Sequence, residues 1–153
     1  MTILYRIAYL AQLLYWLIWR PVSMGVNVLI VQDGAVLLVR PVYRNNWTLP
    51  GGGLHRGETL AQAARREVRE EVGFTLHELH LFGMYTNLTT TNSDHIAVFV
   101  SDAFTPPATP HHSYEIEEYR FFPFAELPAN TGEGTRRRIA EYRRETAVDF
   151  REW

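Results

Sequence analysis

Between Thr59 and Gly73 the chain reads TLAQAARREVREEVG, and that stretch has to satisfy two opposed demands. Thr59 and Gln62 stand at capping-box spacing and open a helix. Gly73 closes it just after Val72. Leu60, Ala61, Ala64, Val68 and Val72 recur at helical spacing and give the helix a buried side. Glu67, Glu70 and Glu71 are spaced i, i+3, i+4, which puts three carboxylates on one face. Like charges so close repel, so folding alone gains nothing from them. A hard divalent cation reverses the sign of that cost. Oxygen-only donors suit Mg²⁺, Mn²⁺ or Ca²⁺ and not tetrahedral Zn²⁺. Mg²⁺ keeps several waters and commonly shares its shell with phosphates, which points this face toward phosphate chemistry. Arg66, four residues before Glu70, can hold that carboxylate in place. Gly51-Gly52-Gly53 reads as a loop whose backbone can approach a ligand closely. The competing reading is a solvated Glu/Arg helix face, which is common.

The remainder reads as one mixed α/β domain from Val22 onward. Val26–Val31 and Ala35–Val39 are apolar runs joined at Gln32-Asp33-Gly34, a hairpin signal. Trp47-Thr48-Leu49 is a short extended piece. Leu76–Tyr85, His95–Val100 and Tyr119–Phe122 read as further strands, with a polar loop at Asn87–Asp94. The segment Thr105-Pro106-Pro107-Ala108-Thr109-Pro110 reads as a loop that cannot join a ladder. Phe124–Pro128 is a turn or brief helix. Arg136–Arg144 is the last helix, with Ile139 and Tyr142 on its apolar side. The chain has 153 residues and no cysteine, so disulfides and thiolate metal sites are excluded, and a cytoplasmic setting fits. A formal charge of −2 gives no strong nucleic-acid signal.

Residues 2–19 are of a different kind. Only Thr2, Arg6 and Gln12 are polar, and Pro21 closes the run. The pattern predicts a helix apolar nearly all round, to be buried in its own domain, in a homodimer or at a membrane surface. Trp16, Trp19 and Arg20 cluster as interfacial anchors do. A secretory signal fits poorly, because no small-residue cleavage site precedes Arg20-Pro21. A cytoplasmic protein peripheral to the membrane is the corresponding expectation.

The full string from Gly52 to Phe74 is GGLHRGETLAQAARREVREEVGF. Gly52, Glu58, Arg66-Glu67, an aliphatic Val68, Glu70-Glu71, Gly73 and an apolar Phe74 fall at fixed intervals. This string resembles the complete Nudix box, and the order of elements extends the likeness from about Val22 to the C-terminus. The resemblance implies an α/β/α sandwich with a mixed β-sheet, here with the extra N-terminal helix. It implies a hydrolase that cleaves a phosphoanhydride in a nucleoside diphosphate linked to another moiety, with Mg²⁺ or Mn²⁺ as cofactor. Carried over, Glu67, Glu70 and Glu71 become the metal-facing carboxylates and the Gly51 carbonyl an added ligand. Gly52, Glu58, Arg66 and Gly73 support the box. A later loop often adds a carboxylate as base or ligand. Glu115 is the choice here, with Glu117 and Glu118 as rivals. Water then attacks one phosphorus in line, and Glu67 or Glu115 takes its proton. The alternative is a catalytically silent Nudix-fold nucleotide-binding or regulatory module, membrane-associated through its first helix. Such a module usually has a broken box, and this box is whole.

Smaller signals remain. Arg40, Arg44 and Trp47 flank the glycine loop and are candidates for substrate binding, against plain solvation for the arginines and core packing for the tryptophan. His111-His112 lie near Glu115 and are candidates for substrate contact, against the commoner reading of an inert exposed loop pair. His55, His77, His80 and His95 show no zinc spacing. Arg136-Arg137-Arg138 with Arg143-Arg144 read as a solvated basic face, or as a contact for anionic lipid. No residue pattern selects a particular nucleotide substrate.

Overall fold

A run of consecutive apolar residues can be a strand only where both faces of its sheet are covered. The computed structural model, which describes residues 22–88, 93–144 and 150–152, has that architecture. In β1 (Val22–Gln32) the side chains alternate between two cores. Val26, Val28 and Ile30 enter one, while Leu29 and Val31 enter the other. Strand β2 (Ala35–Pro41) does the same, with Leu37 and Val39 on one face and Val36 and Leu38 on the opposite face. The two strands form the expected hairpin, with Asp33 and Gly34 both at positive φ (49° and 77°).

After β2 come β3 (Gly51–Gly53), α1 (Leu60–Val72), β4 (Thr75–Leu76), β5 (His80–Leu88) and β6 (Ser93–Ser101). They are followed by β7 (Phe104–Thr105), β8 (Ile116–Pro123), α2 (Glu133–Arg143) and β9 (Phe150–Glu152). The main sheet runs β8-β2-β1-β6-β5-β9, with β3 on β1. It is mixed: β1 pairs β6 in parallel, and β5 pairs β9 in parallel. One edge of β1 is divided, its first half going to β3 and its last residues to β2. Ala63, Ala64, Val68 and Val72 of α1 cover one face of the sheet, and Ile139 of α2 covers the other. The result is the α/β/α sandwich. The apolar helix expected over residues 2–19, with its dimer and membrane roles, lies outside the described residues. No helix among the described residues is long and apolar enough to cross a membrane.

Four local expectations change. Gly51–Gly53 is a strand and not a loop, because the first half of β1 needs a partner along that edge. The stretch Leu76–Tyr85 divides at His77. Leu76 pairs with Phe104 in a separate ribbon, the His77 N–H goes to the Ala103 carbonyl at 2.8 Å, and the main sheet resumes at His80. Thr105 joins that ribbon opposite Thr75, so only the residues after it stay outside a ladder. On α1, Ala63 takes the core position expected of Ala61, which is half-buried.

The basic face of the last helix also divides. Arg138 is 1% exposed. Its guanidinium pairs with Glu141 through Nε (3.0 Å) and Nη2 (3.0 Å), and lies 3.8 Å from the Tyr85 ring centroid. The Tyr85 hydroxyl donates to Glu141 at 3.0 Å, which closes a buried knot between α2 and β5. Arg137, on the exposed side, pairs among the described residues only with Glu133. Removing one member of a buried pair strands the other in a poor solvent. We expect Arg138→Met to cost about 3 kcal/mol in urea unfolding. Arg137→Met should cost less than about 0.5 kcal/mol. Equal costs would return Arg138 to a solvated face.

Candidate active site

The site is built around one guanidinium. Arg66 Nε donates to Glu58 Oε1 at 2.9 Å, and Nη2 to Glu58 Oε2 at 3.0 Å and the Gly53 carbonyl at 2.9 Å. Nη1 donates to Glu67 Oε1 at 2.8 Å and Glu70 Oε2 at 3.1 Å. All five N–H donors of an arginine are thereby used. The hydrogen bonds from Arg66 pull the Glu58 carboxyl down to about 2. Reciprocally, Glu58 first and then Glu67 and Glu70 hold the guanidinium firmly charged. Glu58 also accepts the His55 N–H at 3.1 Å, so the turn leading into α1 is fixed from the same point. The capping box of Thr59 and Gln62 is complete, and Gly73 closes the helix in the left-handed region.

Glu67 lies flat against the glycine strand. A Cβ on Gly52 would stand 2.6 Å from Glu67 Oε1, so only glycine admits the carboxylate there. Glu71 is different again. It is buried, and its Oε2 accepts the Gly51 N–H at 2.9 Å. Gly51 is thus tied to the cluster through its N–H, whereas the sequence expectation concerned its carbonyl. Burial pushes the Glu71 carboxyl up to about 8, the Gly51 N–H opposes this, and Glu67, Glu115 and Glu70 add to it by repulsion.

A cavity of about 500 Å³ opens over these groups. Arg66, Glu67, Glu70, Glu71 and Glu115 line it. Glu117 and Glu118 do not. They pair with Arg40 at 2.9 and 3.0 Å across the β2–β8 ladder, where Arg40 stands opposite Glu118. Among the described residues no cluster of acidic or histidine side chains is already closed around a single ion position. The donor set is nevertheless oxygen-rich, and its buried carboxyl has no arginine partner. That suits a hard divalent cation and not zinc.

The other candidates fall elsewhere. Trp47 is buried, edge-on to Phe122, and Arg40 stacks over its ring at 5.7 Å, so both are committed to packing away from the carboxylates. Arg44 lies over Tyr43 and lines a second cavity of about 450 Å³ with Asn27, Gly51 and Thr135. Gly51 therefore joins the two cavities, bonding to Glu71 of one and lining the other. His111 and His112, which the sequence offers only as a weak candidate for substrate contact, line the carboxylate cavity together with His55 and Tyr114, to which the sequence gives no role. The only signal was the nearness of His111-His112 to Glu115.

A match to the model of the NUDIX domain spans residues 20–142, which takes in every residue of this cavity. The chain belongs to the Nudix family. It is 43% identical over 56 residues to an RNA pyrophosphohydrolase of Xanthomonas oryzae pv. oryzae, covering 37% of this chain and 27% of that protein. It is 48% identical over 59 residues to an oxidized purine nucleoside triphosphate hydrolase of Danio rerio, covering 37% of this chain and 38% of that one. The matches thus span well under half the length of these curated relatives. Among solved structures, a MutT NUDIX hydrolase from Burkholderia pseudomallei superposes with a TM-score of 0.71 at 24% identity. That likeness covers 78% of this chain and 97% of the other, and it shows the shared Nudix fold.

The raised Glu71 carboxyl has a consequence for stability. Folded, it keeps its proton up to about 8, while unfolded it loses it near 4.5. The stability it contributes is fully present below the unfolded value and is lost as pH rises through the folded value. Metal-free protein should lose up to about 1.4 kcal/mol per pH unit between about pH 5 and about pH 8 from this group. Glu71→Gln should remove that slope in urea unfolding with chelator present. Parallel slopes for both proteins would exclude Glu71 as the titrating group.

Proposed function

We propose that this Nudix chain hydrolyses a phosphoanhydride bond in a nucleoside diphosphate linked to another moiety, with Mg²⁺ as its cofactor and Mn²⁺ as a substitute. One observation carries the reading: Glu67, Glu70, Glu71 and Glu115 converge on one cavity in which the only arginine is already committed to Glu58. Glu67, Glu70 and Glu71 would hold the cation. When bound, divalent cations neutralise phosphate charge and acidify the attacking water.

The residues divide the remaining work. Arg66 aims Glu67 and Glu70 into the cavity, and Glu58 keeps Arg66 from swinging onto a substrate phosphate. Glu71 fixes the Gly51 backbone where the two cavities meet. Glu67 is already engaged by an Arg66 hydrogen bond. Glu115 has no arginine partner among the described residues, so we assign it the proton from the attacking water, with Glu67 as the other acceptor. The second cavity, lined by Asn27, Arg44 and Thr135, is polar and lies beyond Gly51, where the nucleoside part would rest.

The names of the curated relatives set the substrates to try first: RNA and oxidized purine nucleoside triphosphates. Ordinary nucleoside triphosphates, ADP-ribose, NADH, diadenosine polyphosphates and nucleotide sugars complete the panel. We expect turnover of at least one substrate that requires Mg²⁺. Glu70→Gln should lower it by on the order of 100-fold or more, since even groups that only support metal ligands typically cost about 10–100-fold. Glu118→Gln should leave it near native. Folded protein that is silent on the whole panel would favour the non-catalytic binding module.

A further inference from the structure

We infer that His111 is a positioning residue that docks the loop carrying Glu115 onto the last turn of α1; the inference rests on the reading that Glu115 works with the α1 carboxylates. The loop between β7 and β8 is poorly equipped to hold itself. Pro106, Pro107 and Pro110 offer no N–H, and Glu115 bonds internally to the Ser113 hydroxyl. Among the described residues, two hydrogen bonds tie residues 106–115 to other elements. One runs from the Val42 N–H to the Glu115 carbonyl at 2.9 Å. The other joins His111 Nε2 to the Glu70 carbonyl at 2.8 Å. A carbonyl can only accept, so Nε2 carries the proton.

The docking point is specific to the end of this helix. The last four carbonyls of a helix lack partners within it. Gly73 N–H takes that of Arg69, and His111 takes that of Glu70. The imidazole lies on the Cα of Gly73, where a Cβ would meet His111 Cγ at 2.8 Å and Cβ at 2.9 Å. Gly73 therefore has two duties. It ends the helix at φ +75°, and it leaves the flat seat on which the ring rests. Through that seat the loop is fixed to the helix that carries Glu67, Glu70 and Glu71. His111 itself is a spacer of four residues from Glu115, so the hydrogen bond sets where that carboxylate stands.

The test combines exchange and kinetics. Hydrogen exchange on metal-free protein should show faster exchange at residues 112–115 in His111→Phe, which keeps a flat ring but has no donor. His111→Gln, whose amide can still donate, should exchange like native. On the substrate found active, His111→Phe should lower kcat by on the order of 10-fold with KM nearly unchanged, as a displaced catalytic group does. His111→Gln should recover most of that loss. His111→Phe combined with Glu115→Gln should be no slower than Glu115→Gln alone, because both act through one carboxylate. Native exchange in His111→Phe, or losses that multiply in the double variant, would overturn the inference. Should Glu115→Gln prove as fast as native, the assignment of Glu115 to the reaction fails. Exchange then decides the docking alone, upheld by faster exchange in His111→Phe and overturned by no change.

Discussion

Five carboxyls, Glu58, Glu67, Glu70, Glu71 and Glu115, stand around a single guanidinium, and the whole site depends on how Arg66 is shared. An arginine offers a planar fork of five donors, and here every one is spent on a fixed acceptor. A lysine offers a point charge on a flexible stem and could not hold Glu58, Glu67, Glu70 and the Gly53 carbonyl in one plane. Arg66 thus does three structural jobs at once. It fixes the glycine strand to the helix, it fixes the turn before the helix through Glu58, and it separates two carboxylates that would otherwise repel. It does not neutralise the cluster. The site remains acidic.

The scaffold explains why the cluster lies where it does. Strand β1 is covered on both faces and paired with β6 along one edge. On its other edge the pairing passes from β3 to β2. Residues 42–50 connect those two partners, and their end is tied to both strands: Thr48 exchanges hydrogen bonds with Val39 of β2, and the Pro50 carbonyl accepts the Val28 N–H of β1. Helix α1 packs on one face of the sheet, with Ala63 and Ala64 allowing close approach to the strands. Glu67 and Glu71 are thereby turned toward the glycine strand, while Glu70 stays largely exposed. Burial of Glu71 follows from the same approach, since it shares the helix with Val68 and Val72 on the core side. The opposite core is built independently around Leu29, Leu38 and Ile139, so that α2 can be anchored by Arg138 and Glu141 without disturbing the site.

What could be read from the sequence was whatever is encoded by spacing along one element. The capping box, the stop at Gly73, the hairpin at Asp33-Gly34 and the shared face of Glu67, Glu70 and Glu71 are all of that kind. What could not be read was encoded by register between distant elements. Arg40 looks like a phosphate ligand until the β2–β8 ladder places it opposite Glu118. Arg138 looks solvated until α2 lands on Tyr85. Gly51–Gly53 looks like a loop because nothing local reveals that β1 needs a partner there. His111 falls in the same class, since its carbonyl partner is forty-one residues away along the chain.

Glu71 shows how the two kinds of information combine. Spacing alone makes it one of three equivalent acids. The fold makes it the only one of the three that is buried and without an arginine, leaving the Gly51 N–H as its hydrogen-bond partner. A single neutral donor offsets only part of the cost of desolvating a carboxylate, and neighbouring negative charges raise that cost further. The folded chain therefore favours the protonated acid until a positive charge arrives. In the proposed metal-bound state a cation at Glu71 would displace that proton, which would link cation affinity to proton release at this one residue. Glu67 and Glu70 differ from it in accepting hydrogen bonds from Arg66. The division of three similar glutamates into two that Arg66 holds and one that it does not is a property of packing, and it follows from where a single arginine can reach.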